Sequence, residues 1–276
     1  MCSNCSMTSH LEQTLAFHAM HAPGAPLVLP NAWDALSARI VAASGARAIA
    51  TTSAGVAWSL GHRDGNELTR ERALDAVRSI ASSVSVPLTA DIERGYGETP
   101  RDVAVTISQV VDAGVSGVNI EDSLGPIEEH TERIAAARTA AEDAGVPLFI
   151  NARIDTHRLG DIGSDVWMEE TVARAAAYAR AGASGIFVLG ALRADTITAL
   201  VNATTLPLNV AFGPGTLSVS ELATAGASRI SAGSSIAEAA YSVAQQWASA
   251  MFETPDAAVS SPPALGWAAL NGLVHD

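Results

Sequence analysis

Four carboxylates and one arginine stand where they could hold an ion and a small acid together. Asp91 closes the apolar run Pro87 to Asp91, with Glu93 two residues on. Glu121 closes Gly117 to Glu121, Asp64 sits in the segment GHRDGNE, and Arg153 follows the run Pro147 to Ala152. A lone acid at a strand end reads as a polar turn. Acids at the ends of neighbouring strands are different, because they repel one another and raise each other's pKa unless a cation neutralises them. An all-oxygen donor set, with no Cys or His beside it, suits a hard ion such as Mg2+ or Mn2+. Asp91 is the expected metal ligand, with Glu93 reaching the ion through water and the glycines around Tyr96 letting backbone approach the ligand. Arg153 adds a fixed planar donor for a carboxylate or phosphonate. A divalent cation beside an arginine can stabilise an enolate. That route matters because all 16 basic residues are arginine. A Schiff-base mechanism needs an amine, and only the N-terminal one remains.

The elements that must position these groups recur along the chain. Short apolar runs lie at Pro26 to Pro30, Arg47 to Thr52, Pro87 to Asp91, Gly117 to Glu121, Pro147 to Ala152, Gly185 to Leu189, Pro207 to Ala211 and Ser228 to Ala232. Each is too short and too evenly apolar for a surface helix and reads as a parallel strand buried on both faces. Ala-rich amphipathic stretches separate them, and glycines such as Gly182 close helices where a left-handed cap is needed. Eight such units predict an α/β fold, a (β/α)8 TIM barrel. An open doubly wound sheet is the alternative; it is disfavoured because no GxGxxG follows the first strand. In a barrel the site forms at the C-terminal ends of the strands. This gathers Thr52, Ser53, Asp64, Asp91, Glu93, Glu121, Asp122, Asn151, Arg153 and Asn209 around one mouth. Asp122, Asp155 and His157 have a plainer reading as binders of loop backbone, and Arg94 as an ion-pair partner.

With 276 residues, 48% of them hydrophobic, the chain can bury one large core. Residues 1–25 are expected to carry a tail and an extra helix, 26–250 the barrel, and 251–276 a C-terminal tail. The formal charge of −13 disfavours nucleic acid and anionic membrane surfaces as partners. No apolar run approaches the roughly 18 residues that span a bilayer. The start MCSNCSMTSH lacks the pattern of a secretory signal, so a cytoplasmic location is expected. Cys2 and Cys5 form a CxxC with no second pair to complete a zinc site, and read as part of a frayed tail. His10, His18 and His21 read as packed or solvated helix residues. Trp267 and the leucines near it suggest that the tail packs on something, a neighbouring subunit among the candidates.

The segments NAWDALSARIVAASGARAIATTSAGVA, GHRDGNE, ADIERGYGE, GVNIED and INARID together resemble the isocitrate lyase/phosphoenolpyruvate mutase superfamily. The resemblance spans roughly residues 30 to 237. It implies a Mg2+-dependent barrel that makes or breaks C–C or P–C bonds in α-oxycarboxylates through an oxyanion or enolate. It assigns Asp91 as direct metal ligand and Glu93 as the second acid, one methylene longer than usual. Asp64 and Glu121 match acids that hold waters on the metal. Thr52, Ser53 and Ala54 match the segment that grips the substrate carboxylate, and Arg153 matches the arginine on the same group. It also implies a homodimer or homotetramer, with a C-terminal helix packed on or swapped with a neighbour.

Lyases of that superfamily carry a lysine- and cysteine-containing lid after the ED pair, and here Glu121 to Arg138 has neither. Tyr96 and His130 are the candidate replacement proton donors, His130 with a competing reading as a surface histidine. A decarboxylation or retro-aldol cleavage of a small 2-oxo or 2-hydroxy acid needs the least lid chemistry and is the leading reading. The alternatives are a P–C mutase or hydrolase acting on a phosphonate such as phosphonopyruvate, a phosphosugar isomerase or synthase using Gly213 to Gly215 and Ala232 to Ser235 for phosphate, and a non-catalytic small-acid binder.

Overall fold

Pro30 splits the first strand of the barrel, yet the sheet closes around it. The computed structural model describes residues 3–65, 67–253 and 265–274. Strand β1 (Leu27–Leu29) pairs with β9 (Arg229–Ser231), and β2 (Asn31–Ala32) pairs with β3 (Ile49–Thr51), both in parallel. A proline has no N–H to give a ladder, but the Pro30 carbonyl still accepts from Ala50 N at 3.2 Å. Asn31 bonds both neighbours: its Oδ1 accepts from Ala232 N and Gly233 N, each at 2.9 Å, and its Nδ2 donates to Thr51 O at 2.8 Å. The first strand therefore runs past Pro30 to Ala32, two residues beyond the expected end.

Between the halves run β4 (Leu88–Asp91), β5 (Gly117–Glu121), β6 (Phe149–Ile154), β7 (Gly185–Val188) and β8 (Leu208–Ala211), each parallel to its neighbours. The order β1-β9-β8-β7-β6-β5-β4-β3-β2 ends on two segments that are consecutive in the chain. It is a closed ring of eight strand positions, the expected (β/α)8 barrel.

Helices surround the ring: α1 (Ser3–Ala19), α2 (Ala35–Ala43), α3 (Ser53–Ser59), α4 (Arg70–Ala81), α5 (Pro100–Asp112), α6 (Ile127–Asp143), α7 (Asp165–Arg180), α8 (Ala194–Ala203), α9 (Val219–Thr224), α10 (Ser235–Glu253) and α11 (Trp267–Gly272). α5 shows why they form. Thr99 and Asp102 make a reciprocal capping box, Pro100 occupies the first turn, and Val103, Thr106, Ile107, Val110 and Val111 bury one stripe against the sheet. The main core lies between strands and helices.

A second, smaller core fills the floor of the barrel, where Phe17 of α1 meets Leu27, Leu29, Ala48, Ala50 and Phe149. His21 stacks on Phe149 with ring centroids 3.9 Å apart, His18 Nε2 donates to Pro147 O at 2.7 Å, and His10 Nε2 donates to Val115 O at 3.0 Å. These histidines are packing residues, as expected. α1 begins at Ser3, so Cys5 lies in a helix rather than a frayed tail; Cys2 lies outside the described residues. At the other terminus, α10 carries exposed Tyr241, Trp247, Met251 and Phe252. Beyond it, Leu273 O accepts from Arg39 Nη1 at 2.6 Å, which ties the tail to α2 of its own chain. Among the described residues no helix is long and apolar enough to cross a membrane.

Candidate active site

Alternation along the strands decides which side chains enter the barrel. On β5 these are Gly117, Asn119 and Glu121, and on β6 Phe149, Asn151 and Arg153, each pair in register. Asp91 is in register with Asn119. The top of the ring therefore carries Asp91, Glu121 and Arg153 side by side. Arg153 Nη2 forms an ion pair with Glu121, and Ser123 Oγ donates to Glu121 Oε1 at 2.7 Å. From the other side, Arg153 Nε and Nη2 donate to the two oxygens of Asp155 at 2.8 and 3.0 Å. Burial alone would lower the guanidinium pKa, but Glu121 and Asp155 raise it above its usual value. Its charge is permanent.

Asp91 is held from three directions. Ser53 Oγ donates to Asp91 Oδ2 at 3.1 Å and Ser53 N at 3.4 Å, while Glu93 N donates to Oδ1 at 3.2 Å. The Asp91 N–H donates to Thr51 Oγ1 at 2.8 Å, which fixes the strand end. Burial still pushes the Asp91 carboxyl up, with Arg153 opposing and Asp64 reinforcing. Burial raises Glu121 as well, with Asp91 and Asp155 adding to it against Arg153. Glu93 is buried, at a left-handed φ of 50°. The Tyr96 phenol is pushed well up by burial and then by Glu93, Asp91, Asp64 and Glu121. One hydroxyl thus feels all four acids, which places them in one neighbourhood, with Asp64 on the exposed rim.

Among the described residues, no three His, Cys, Asp or Glu side chains converge into a ready-made metal cage. The structure offers instead Asp91, Glu93 and Glu121 in the mouth with Asp64 on its rim, their repulsion relieved in part by Arg153. Their donors are all oxygens, and a hard divalent cation would remove the repulsion. The residues fit such an ion, with Asp91 as direct ligand and Glu93, Glu121 and Asp64 reaching it through water.

The remaining sequence-identified residues fall in several places. Thr52 caps α3, its Oγ1 accepting from Gly55 N at 3.4 Å, and Ala54 is buried in the first turn. Asn209 points into the barrel, where its Oδ1 accepts from Ser231 Oγ at 3.2 Å. His130 is not a surface residue. It lies in α6, 2% exposed, with its ring edge-on to Tyr178 at 4.7 Å, and burial lowers its pKa to about 4. It belongs to the packing behind the mouth, beside a buried network in which Asp122 accepts from Arg174, Tyr178, Leu124 N and Asp155 N. That network pins the short connection from β5 to α6. Arg94 forms its ion pair with Glu129 at 2.6 Å.

The glycines flanking Tyr96 have a different purpose from the expected approach to a ligand. A Cβ on Gly97 would come within 2.1 Å of Asp102, and one on Gly95 within 2.8 Å of Val103, so they seat the loop on α5. A cleft of about 580 Å3 opens beside Tyr96, with Arg70, Arg94 and Arg133 among its walls. Its arginines already bind Asp102, Glu129 and loop carbonyls, so they are less available to an anionic ligand than Arg153 at the carboxylate mouth. At the proposed phosphate glycines, Gly213 N donates to Thr216 Oγ1 and the Ser234 hydroxyl to Glu238, so these turns bond to themselves.

Asp155, expected from sequence to bind loop backbone, instead braces Arg153. Two residues of the interior, Asn119 and Arg229 beneath the acids, were not singled out from sequence. The signal for Asn119 was the alternation itself, since it stands two residues before Glu121 on the same face.

Comparison with known proteins agrees with this architecture. The phosphoenolpyruvate phosphomutase family pattern matches residues 17–252. An uncharacterised protein of Mycobacterium tuberculosis is 36% identical over 220 residues, 80% of this chain and 82% of its own. A Burkholderia cenocepacia J2315 structure, described provisionally as a lyase/mutase, superposes with a TM-score of 0.86 at 34% identity and covers 96% of each chain. The 2-methylisocitrate lyase of Escherichia coli (strain K12) is 33% identical over 186 residues, 62% of this chain and 60% of its own.

Proposed function

We propose that this chain, which belongs to the phosphoenolpyruvate phosphomutase family of the isocitrate lyase/phosphoenolpyruvate mutase superfamily, is a Mg2+-dependent lyase that cleaves a C–C bond in a small 2-oxo or 2-hydroxy carboxylic acid. The observation that carries this reading is the cluster of Asp64, Asp91, Glu93 and Glu121 near Tyr96, with Arg153 braced beside it. When bound there, Mg2+ or Mn2+ supplies a Lewis-acidic charge for the carboxylate and 2-oxygen of the substrate.

The chain's own residues do the rest. Arg153 takes the substrate carboxylate, and Asp155 keeps its fork from turning away. Ser53, at the start of α3, orients Asp91 with its hydroxyl and lies at the same end of the substrate. Thr52 and Ala54 shape the wall behind it, and Asn209 lines the interior. In decarboxylation the C–C electron pair passes to the 2-oxo oxygen as an enolate while CO2 leaves. In retro-aldol cleavage the substrate hydroxyl gives its proton to one of the mouth carboxylates and its oxygen becomes a carbonyl. The C–C pair then passes to the carbonyl of the departing fragment. In both a proton returns to carbon. Tyr96 retains its proton at neutral pH, because burial and then the surrounding acids raise its pKa. It is therefore a donor at the rim, and solvent is the alternative source. The pinned connection after β5 favours decarboxylation or retro-aldol cleavage, which need no acid from a mobile lid. Cleavage of a P–C bond in phosphonopyruvate is the second reading, favoured by the family match. The exposed aromatic and methionine side chains of α10 support association with further copies of the chain, as a dimer or tetramer.

The test is incubation with 2-oxo and 2-hydroxy di- and tricarboxylates and with phosphonopyruvate, in Mg2+ or EDTA, followed by proton and phosphorus NMR. Turnover of a carboxylate that requires Mg2+ supports the lyase. Turnover of phosphonopyruvate alone supports the second reading. Turnover that persists in EDTA contradicts both.

A further inference from the structure

Beneath the acids the barrel holds a layer of buried polar side chains that the proposed chemistry leaves unused. Arg229 on β9 is 1% exposed, and its Nη2 donates to Asn119 Oδ1 at 3.0 Å. In the ring β9 and β5 are separated by β8, β7 and β6, so this bond crosses the interior. A guanidinium can only donate hydrogen bonds. The Asn119 atom that faces it is therefore the amide oxygen. Asn151 Nδ2 donates to the same oxygen at 2.9 Å. Two donors on one side leave the Asn119 NH2 turned to the other.

That other side is the mouth. Phe17, His21 and Phe149 close the barrel below. With the floor closed, the 6% exposure that Asn119 retains is left to the side of the acids, with Asp91 its register partner and Glu121 two residues along the strand. A floor ringed by carboxylates has acceptors in excess, and an anionic substrate needs donors. An amide free to rotate would present its oxygen to such a substrate as readily as its N–H groups.

We propose that Asn119 is a substrate-facing hydrogen-bond donor on the floor of the pocket, and that Arg229 is the positioning residue that locks its amide with the N–H groups toward the mouth. The inference rests on the lyase reading and adds to it a residue pair which that reading does not require. Arg229 is poorly explained as a structural hub. Its Nε and Nη1 have no hydrogen-bond partner among the described residues, and Asn119 is its one side-chain acceptor. Burial lowers its pKa to about 9 against the pull of Asp91, so it stays charged at neutral pH. A buried charge with so few bonds costs stability, and an apolar side chain of similar volume is expected to be tolerated.

The test compares the wild type with Asn119→Ala, Asn119→Asp, Arg229→Met and Arg229→Lys at saturating Mg2+. Steady-state kinetics, calorimetric binding of oxalate and thermal melting are measured for each. Asn119→Ala is expected to lower kcat/KM about 10²-fold, the scale of one lost donor, and Asn119→Asp further, because it places an acceptor there. Arg229→Met is expected to lower kcat/KM roughly tenfold, as for an outer positioning contact, with Tm unchanged or raised, and Arg229→Lys to restore part of the loss. A structural role predicts the reverse: a lower Tm, with kcat and KM of the folded fraction at wild-type values. That result, or an Asn119→Ala enzyme matching the wild type, overturns the inference while leaving the lyase reading intact. A wild type that neither turns over the panel nor binds oxalate with Mg2+ overturns both.

Discussion

The floor and the mouth of this barrel are built on the same strands, four residues apart, and they solve opposite problems. Phe149 and Arg153 share a face of β6, as Gly117 and Glu121 share one of β5. At the floor aromatic rings and small apolar side chains pack on one another within the chain. Phe17 meets Phe149 edge-on, His21 stacks on it, and two glycines make the room: a Cβ on Gly117 would come within 2.9 Å of the Phe17 ring, and one on Gly185 within 2.9 Å of the Phe149 ring. At the mouth Asp91 and Glu121 face one arginine, Arg153, with Glu93 and Asp64 near them, and burial raises the pKa of Asp91 and Glu121. A region that is complete by itself contributes stability. A region left with like charges facing each other is waiting for a ligand.

If that division holds, substitutions at the two ends should separate activity from stability. Asp91→Ala is expected to reduce kcat/KM by about 10³-fold while leaving the urea midpoint close to wild type. A large loss of stability in that variant would blur the division. Asp155→Asn keeps the shape but weakens the brace on Arg153, and should raise KM by roughly 10–100-fold with a smaller change in kcat. Equal loss in both constants would mean that Asp155 takes part in the chemical step. Gly117→Ala is the converse change at the floor. It should cost about 1–3 kcal/mol in urea denaturation through overpacking, with the kinetic constants of the folded enzyme unaltered.

A further effect is one of pH, and it belongs to the packing histidines. Burial lowers the pKa of His21 to about 3 and of His130 to about 4, from 6.5. Above pH 6.5 both are neutral whether folded or not, and their contribution is fully present. Below it the unfolded chain binds protons that the folded chain refuses, so stability should fall by about 1.4 kcal/mol per pH unit for each histidine. The window closes near pH 4 for His130 and near pH 3 for His21. Denaturation curves between pH 7 and 4.5, with His21→Phe and His130→Phe as controls, measure the slope. A slope unchanged in both variants would assign the pH dependence elsewhere.

Much of this was legible in the sequence, for a physical reason. Buried parallel strands are continuous apolar runs, so a polar residue at their C-terminal end stands out, and Asp91, Glu121 and Arg153 were visible in that way. Features that depend on contacts across the barrel were hidden. The Asn119 to Arg229 bond joins residues 110 positions apart and leaves no periodic trace. His130 reads as polar in a helical turn, and only the packing of Tyr178 shows it to be buried. The glycines beside Tyr96 were correctly marked as special, but the atoms that exclude a side chain there belong to α5. Pro30 marked a strand end by its chemistry, whereas Asn31 carries the sheet past it.

The central claim is that the acids of the mouth hold one hard cation through Asp91. Crystals soaked in Mn2+ and measured at the manganese absorption edge test it directly. The account predicts a single anomalous peak within bonding distance of an Asp91 carboxylate oxygen, lost in Asp91→Ala. A peak at another group of residues, or none at the mouth under Mn2+ concentrations that sustain turnover, would contradict it.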